Sequence, residues 1–180
     1  MEYNILIADH SHISKLVDIG IESFTETCEI EIKKRIDKDF YYICTFEDKI
    51  IAKCLIKKCC LTEDDDDSTY YLREVYKNKD HTQFKMIKLL QFGISHISLC
   101  NPTIKLFVDI FNDKAIQLYK NLNFEIISYK SDLKYTNEYY NDKTYYKPHN
   151  KDTIKISEQN KLIRPDRNIP FYKMILKTTY

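Results

Sequence analysis

A mixed α/β sheet with a helical crossover is the fold class the sequence predicts, and three observations predict it. Two strand-like runs, "FYYICTF" and "IIAKCLIK", are separated only by Glu47-Asp48-Lys49, the signature of an antiparallel hairpin. Beyond them the pattern alternates strand, helix, strand, helix, strand, with helical spacing over 82–98 and 112–124. A strand–helix–strand run within one sheet needs a crossover, so parallel pairing joins the antiparallel pairing of the hairpin. At 180 residues the chain suffices for a single domain over 1–180 with a sizeable core.

Each element follows in order. "YNILIA", residues 3–8, reads as a short strand. Ile13, Leu16, Val17, Gly20, Ile21 and Phe24 then keep helical spacing, with Ser11 as the expected N-cap. "EIEIKKRI" predicts a second, short helix, and the hairpin comes next. "TEDDDDS" breaks the pattern. Four consecutive aspartates repel one another, and a solvated loop with no core-facing member is expected there, favoured over a patch attracting a cationic substrate. "TYYLREVY" resumes as a strand. Met86, Leu90, Ile94 and Ile97 mark the crossover helix, and "IKLFVDI" the strand after it.

"NDKAIQLYKNLNF", residues 112–124, has both helix ends marked. Asn112 is a good N-cap, and Asp113 complements the dipole. Ala115, Leu118, Tyr119 and Leu122 form one apolar stripe, and Asn123 stands where a left-handed C′ residue belongs. "FEIISY" and, near the C-terminus, "FYKMILK" read as strands. Between them, about 131–169, the chain is polar, tyrosine-rich and aperiodic, the pattern of a long insertion before the last strand.

Composition narrows the function classes. Lys+Arg 28 against Asp+Glu 27 leaves a net charge of +1, which argues against general nucleic-acid binding. No secretory signal pattern opens "MEYNILIADHSH", and no apolar run approaches the roughly 20 residues of a membrane helix. A reducing, cytoplasmic location is expected, with Cys44, Cys54, Cys59, Cys60 and Cys100 as thiols in strands or core. Cys59 and Cys60 are adjacent, so in a strand they point to opposite faces. No Cys-x-x-Cys or His-x-x-x-His spacing occurs, and no metal site is expected. Gly 2 and Pro 4 beside Tyr 15 and abundant Lys, Ile and Asn suggest an AT-rich genome, viral or protist.

Strand "IKLFVDI" followed by Asn112, Ala115, Tyr119 and Asn123-Phe124 resembles the second-crossover motif of the GCN5-related N-acetyltransferase (GNAT) family: Asn, Ala, Tyr, then Gly-Phe. The resemblance covers about residues 40–130 and the closing strand at 171–177. It implies an acyl-CoA N-acyltransferase fold, acetyl-CoA as co-substrate and a primary amine, on a small molecule or a protein, as acceptor. The family's coenzyme loop reads Arg/Gln-x-x-Gly-x-Gly/Ala between a strand and a helix. Ungapped alignment lays Thr82, Gln83, Phe84, Lys85, Met86 and Ile87 across it, with no glycine. None of these residues is proline, so backbone N–H groups remain to meet a pyrophosphate at a helix N-terminus. β-carbons of Phe84, Lys85 and Ile87 would stand nearer the phosphates than glycine does. Lys79 and Lys85 could add charge there, or be solvated lysines at a helix start.

For the chemistry, the resemblance implies that Tyr119 protonates the departing thiolate. A thiol with pKa about 8.5 and a phenol near about 10 are close to matched. A core tyrosine with its hydroxyl at the surface is the other reading of the same position. Backbone N–H groups from Val75, Tyr76 and Lys77 would polarise the thioester carbonyl. Only about one lysine-like amine in 2,500 is neutral at pH 7, which makes a base useful. Glu74 aligns where the family often carries an acidic residue; its alternative is a cross-strand partner of Lys or Arg. A catalytically inactive GNAT-like binding module stands beside the enzyme reading. The tyrosine-rich insertion could serve a homodimer or a protein partner, or act as a lid bringing Lys147, Lys151 or Arg164 to the phosphates.

Overall fold

The computed structural model describes residues 2–23, 28–58, 65–98, 102–109, 112–130 and 171–177. Cys59, Cys60, Cys100, the insertion at 131–169 and its Lys147, Lys151 and Arg164 lie outside them. The described chain forms seven strands in a mixed sheet and four α-helices. It divides into two compact units, Met1–Leu106 with Leu176–Tyr180, and Phe107–Ile175.

The first unit opens with β1 (Asn4–Ile7), a single 3-10 turn at His10–His12, α1 (Ile13–Ser23) and α2 (Glu29–Lys38). Asp9 caps the 3-10 turn that leads into α1, and the expected cap Ser11 lies inside that turn. The Asp9 carboxylate accepts from the Ser11 N–H and the Ser11 hydroxyl, and the Asp9 N–H donates to His12 Nδ1, which closes a capping box. A carboxylate two residues earlier reaches more donors than a serine hydroxyl can, which is why it wins. β2 (Phe40–Phe46) and β3 (Lys49–Lys58) form the predicted hairpin. Its loop is two residues, Glu47 and Asp48, both left-handed at φ 46° and 62°, which matches the twist of the flanking strands.

β4 (Thr69–Lys77) pairs antiparallel with β3, and β5 (Thr103–Asp109) pairs parallel with β4 after α3 (Met86–Ile97). The order in this unit is β1-β2-β3-β4-β5. Alternate residues of β2 serve the two faces. Tyr41 and Ile43 join Leu16, Ile19, Ile32 and Leu55 in the core under α1 and α2. Tyr42, on the other face, meets α3: Gly93 lies against its ring, and its hydroxyl lies 2.9 Å from His96 Nδ1.

The run of aspartates is not uniformly solvated. The Asp65 side chain is fully buried, with Lys105 Nζ at 2.5 Å and the Tyr71 hydroxyl donating at 2.9 Å. Lys105 faces Tyr71 across the parallel pair, and a buried ammonium at that position needs a counter-ion. Asp66 accepts from the Ser68 N–H, the Ser68 hydroxyl and the Thr69 hydroxyl, forming the turn into β4. These three donors hold its carboxyl below the usual range.

The second unit contains α4 (Asp113–Lys120) and the antiparallel pair β6 (Glu125–Lys130) and β7 (Phe171–Lys177). α4 is shorter than the 112–124 span expected from sequence. Asn112 caps it as predicted, its side-chain oxygen accepting from the Ala115 N–H. At the other end Phe124 N–H donates to Tyr119 O and Asn123 N–H to Lys120 O, with Asn123 at φ 65°. That is a Schellman turn, so residues 121–123 leave the helix while its last carbonyls stay satisfied.

Candidate functional site

Within the first unit the predicted site residues divide between two adjoining structures, a bulge in β4 and the loop that carries β4 into α3. In the β3–β4 register Lys53 faces Tyr76 and Leu55 faces Arg73, so Glu74 and Val75 together face Cys54. Such a bulge bends the strand and breaks the regular ladder next to Val75 and Tyr76. Glu74 takes the left-handed residue of the bulge at φ 51°, a conformation costing a non-glycine residue about 1 kcal/mol.

The Glu74 side chain is tied to three elements. Arg35 of α2 pairs with Oε1, while Oε2 accepts from the Tyr41 hydroxyl at 2.8 Å and lies 3.5 Å from Lys53 Nζ. The Lys53 side chain is 1% exposed. This carboxylate is one partner of its buried charge, and losing a partner of a buried pair is expensive. Burial, and secondly the Glu74 charge, push the Tyr41 phenol well above its usual range, so it remains a donor. Glu74 thus has the cation partners set out as its alternative role. A base working from this position would have to give up one of these donors.

After β4, residues 78–84 turn back before the helix. The crossover helix begins at Met86, four residues later than the 82–98 span predicted. Phe84 is the reason. Its ring is 3% exposed and lies 5.5 Å from Tyr3, which itself packs on Phe46 at 5.1 Å. His81 edges onto Phe46 at 5.2 Å. Phe84, which the alignment laid across the coenzyme loop, anchors that loop with its bulk inside the core. Lys77 sends its ammonium to two loop carbonyls, His81 O and Phe84 O, each at 3.2 Å.

Lys85 is the N-cap of α3 in extended conformation, and its side chain makes no capping bond. The N–H groups of Lys85, Met86 and Ile87 meet no acceptor among the described residues. No acidic residue stands in the first turn, and Lys79, Gln83, Lys85 and Lys88 are exposed around it. Open N–H donors, the positive end of a 12-residue helix and nearby lysines fit an anion such as the pyrophosphate of acetyl-CoA. Of the three side chains that stand in place of glycine, Phe84 is turned inward.

Tyr119 and Asn112 belong to the second unit. Tyr119 is buried at 7% exposure, and its ring meets Phe124 edge-on at 5.9 Å. This is the apolar contact that accompanies a Schellman turn, so the ring has a local packing role. Sequence reasoning missed Arg35, Tyr41 and Lys53 as partners of Glu74, and the side chain of Lys77. One signal was present: Lys53 interrupts the apolar run "IIAKCLIK", and a lysine inside a buried strand calls for a carboxylate. No group of His, Cys, Asp and Glu that could hold a metal occurs among the described residues. No helix among them is long and apolar enough to cross a membrane.

No protein-family model matches the sequence, and no curated protein matches it. Solved structures do match in fold. The GNAT-family acetyltransferase of Streptococcus pneumoniae is 15% identical at a TM-score of 0.65, over 99% of this chain and 100% of that one. The ribosomal-protein-S18-alanine N-acetyltransferase of Escherichia coli is 16% identical at 0.65, over 99% and 96%. Salmonella typhimurium yncA, described as an acetyltransferase and solved with its cofactor acetyl-CoA, is 13% identical at 0.66, over 98% and 94%. With its mixed sheet, its β4–α3–β5 crossover and these likenesses, the chain has the fold of the GNAT acetyltransferases.

Proposed function

We propose that this protein is an acetyl-CoA-dependent N-acetyltransferase that acylates a primary amine, carried by a small molecule, a polyamine or a protein lysine. The observation that carries the reading is the start of α3, where three open N–H groups and a lysine-rich surround follow a bulged β4. Acetyl-CoA, when bound, supplies an acyl group activated as a thioester. The N–H groups of Lys85, Met86 and Ile87 hold the phosphates, with Lys85 adding charge. Backbone N–H groups of the Val75–Lys77 segment polarise the acyl carbonyl, and the phenol of Tyr119 gives its proton to the thiolate. The new N–C bond replaces the C–S bond, and the proton lost by the amine passes to water. Glu74 holds the bulge in shape through Arg35, Tyr41 and Lys53 rather than accepting that proton.

The second reading is a binding module of the same fold, favoured by the full engagement of Glu74, the acidic residue nearest the bulge. Acetyl-CoA decides between them. On the enzyme reading it raises the melting temperature in a concentration-dependent way, and no shift at millimolar acetyl-CoA favours the module. Tyr119→Phe then tests the chemistry. The variant keeps the ring against Phe124, folds normally and binds acetyl-CoA about as well. Its kcat and kcat/KM should fall together by roughly 10²–10⁴-fold on any amine the wild type accepts. Wild-type kcat in the Phe variant would remove Tyr119 from the mechanism.

A further inference from the structure

Every peptide group between Asn78 and Lys88 has to orient without glycine, and one side chain stands under the loop. Lys77 ends β4 and donates to His81 O and Phe84 O, seven residues of chain gathered onto one ammonium. The Phe84 carbonyl and the Lys85 N–H belong to one trans peptide plane and point in opposite directions. Fixing Phe84 O toward Lys77 therefore fixes the Lys85 N–H away from it. The same holds for His81 O and the Thr82 N–H. Phe84 O is not used by the helix, because Lys88 N–H bonds to Lys85 O instead. His81 O also accepts from the Phe84 N–H at 3.2 Å, so it is Phe84 O that is held by the side chain alone, where a tighter glycine turn would hold it by backbone geometry.

Resting on the acetyl-CoA reading of α3, we propose that Lys77 is the positioning residue of the coenzyme loop. Its ammonium turns the Phe84–Lys85 peptide so that the Lys85 N–H joins those of Met86 and Ile87 in facing the pyrophosphate. It takes the place of glycine without touching the phosphates. The aromatic contacts Tyr3–Phe84 and Phe46–His81 hold the loop from the core side, so the ammonium acts on a loop already seated. Lys85 and Lys88, by contrast, act on the anion through charge. The two roles separate experimentally.

Lys77→Met removes the donor and keeps the stem. Two measurements apply: amide hydrogen exchange over 81–88 in the free protein, and calorimetric affinity for coenzyme A across a salt series. The expected result is faster exchange at Phe84 and Lys88, whose N–H groups are bonded to His81 O and Lys85 O, and a coenzyme A Kd raised about tenfold, with the salt dependence of binding unchanged. Lys77→Arg restores most of both. Lys85→Met should instead flatten the salt dependence and leave the exchange of Phe84 and Lys88 as in the wild type. Unchanged exchange in Lys77→Met would overturn the positioning role whatever the affinity does. A flattened salt dependence in Lys77→Met would make it a phosphate ligand and overturn it too. Wild-type protein that binds no coenzyme A would overturn the acetyltransferase reading and the ligand named here, while the exchange result still reports on the loop.

Discussion

Asp65→Asn separates the geometry of the buried pair before β4 from its charge. Asparagine keeps the shape and can still meet the Tyr71 hydroxyl, but it leaves Lys105 Nζ, in a side chain 3% exposed, without the carboxylate 2.5 Å away. Breaking a buried pair by removing one partner costs about 3–5 kcal/mol. An independent ceiling comes from proton loss. Discharging a lysine of pKa about 10.4 at pH 7 costs about 3.4 units, or roughly 4.6 kcal/mol, so the penalty cannot much exceed that. At pH 9 the same route costs only about 1.9 kcal/mol. In the variant the folded-state lysine binds its proton less tightly than the unfolded one, so stability rises with pH and the defect shrinks. Urea unfolding at both pH values measures this. With a slope near 2 kcal/mol/M, a loss of about 4 kcal/mol moves the pH 7 midpoint down by about 2 M. The double variant Asp65→Leu with Lys105→Met should recover most of it, because neither charge is then buried. A loss below about 1 kcal/mol at pH 7, or one that does not shrink toward pH 9, would refute the reasoning.

Two further outcomes are expected. Gly93→Ala gains about 1 kcal/mol of helix propensity, but its methyl would stand 2.9 Å from Cδ2 of the fully buried Tyr42 ring. Overpacking of this kind costs about 1–3 kcal/mol, so a net loss is expected in thermal melts, and a raised melting temperature would count against the packing described. Among the thiols, exposed Cys28 should be alkylated in native protein while Cys44 and Cys54 are protected. Burial pushes the Cys44 thiol up to about 11 and the Cys54 thiol higher still, and mass mapping at pH 8 that finds Cys54 modified as fast as Cys28 would contradict this.

What the sequence revealed was mostly local. The caps at Asn112 and Asn123 depend on neighbours within five residues, and both were readable. The hairpin was readable because its two strands are adjacent. Asp65 was not, since a run of four aspartates looks solvated until Lys105, forty residues on, arrives beside it. The start of α3 was misplaced because nothing local marks residues 82–85 as loop, and Tyr3, which packs on Phe84, lies at the far end of the unit's sequence. The bulge was invisible for a similar reason. Nothing in "LREVY" announces a left-handed glutamate, whose shape is maintained by Arg35, Tyr41 and Lys53. Tyr119 was picked out by motif, and the structure adds a packing partner, Phe124, that motif reading did not supply.

The chain has two glycines, and neither Gly20 nor Gly93 is left-handed; Glu47, Asp48, Glu74 and Asn123 are. This inverts the usual division of labour and shapes how the protein can drift. At the hairpin tip, exchange of Glu47 or Asp48 for glycine relaxes a strained residue while loosening the unfolded chain, two small effects of opposite sign. Such a turn can wander among Gly, Asn, Asp and Glu with little consequence. At Glu74 the same exchange would relax the backbone yet remove the carboxylate that Lys53 and Arg35 meet, so what the main chain prefers the side chains oppose. One conformation therefore evolves freely at the hairpin and is constrained at the bulge, where a glycine at position 74 would cost the unit the carboxylate that α2, β2 and β3 share.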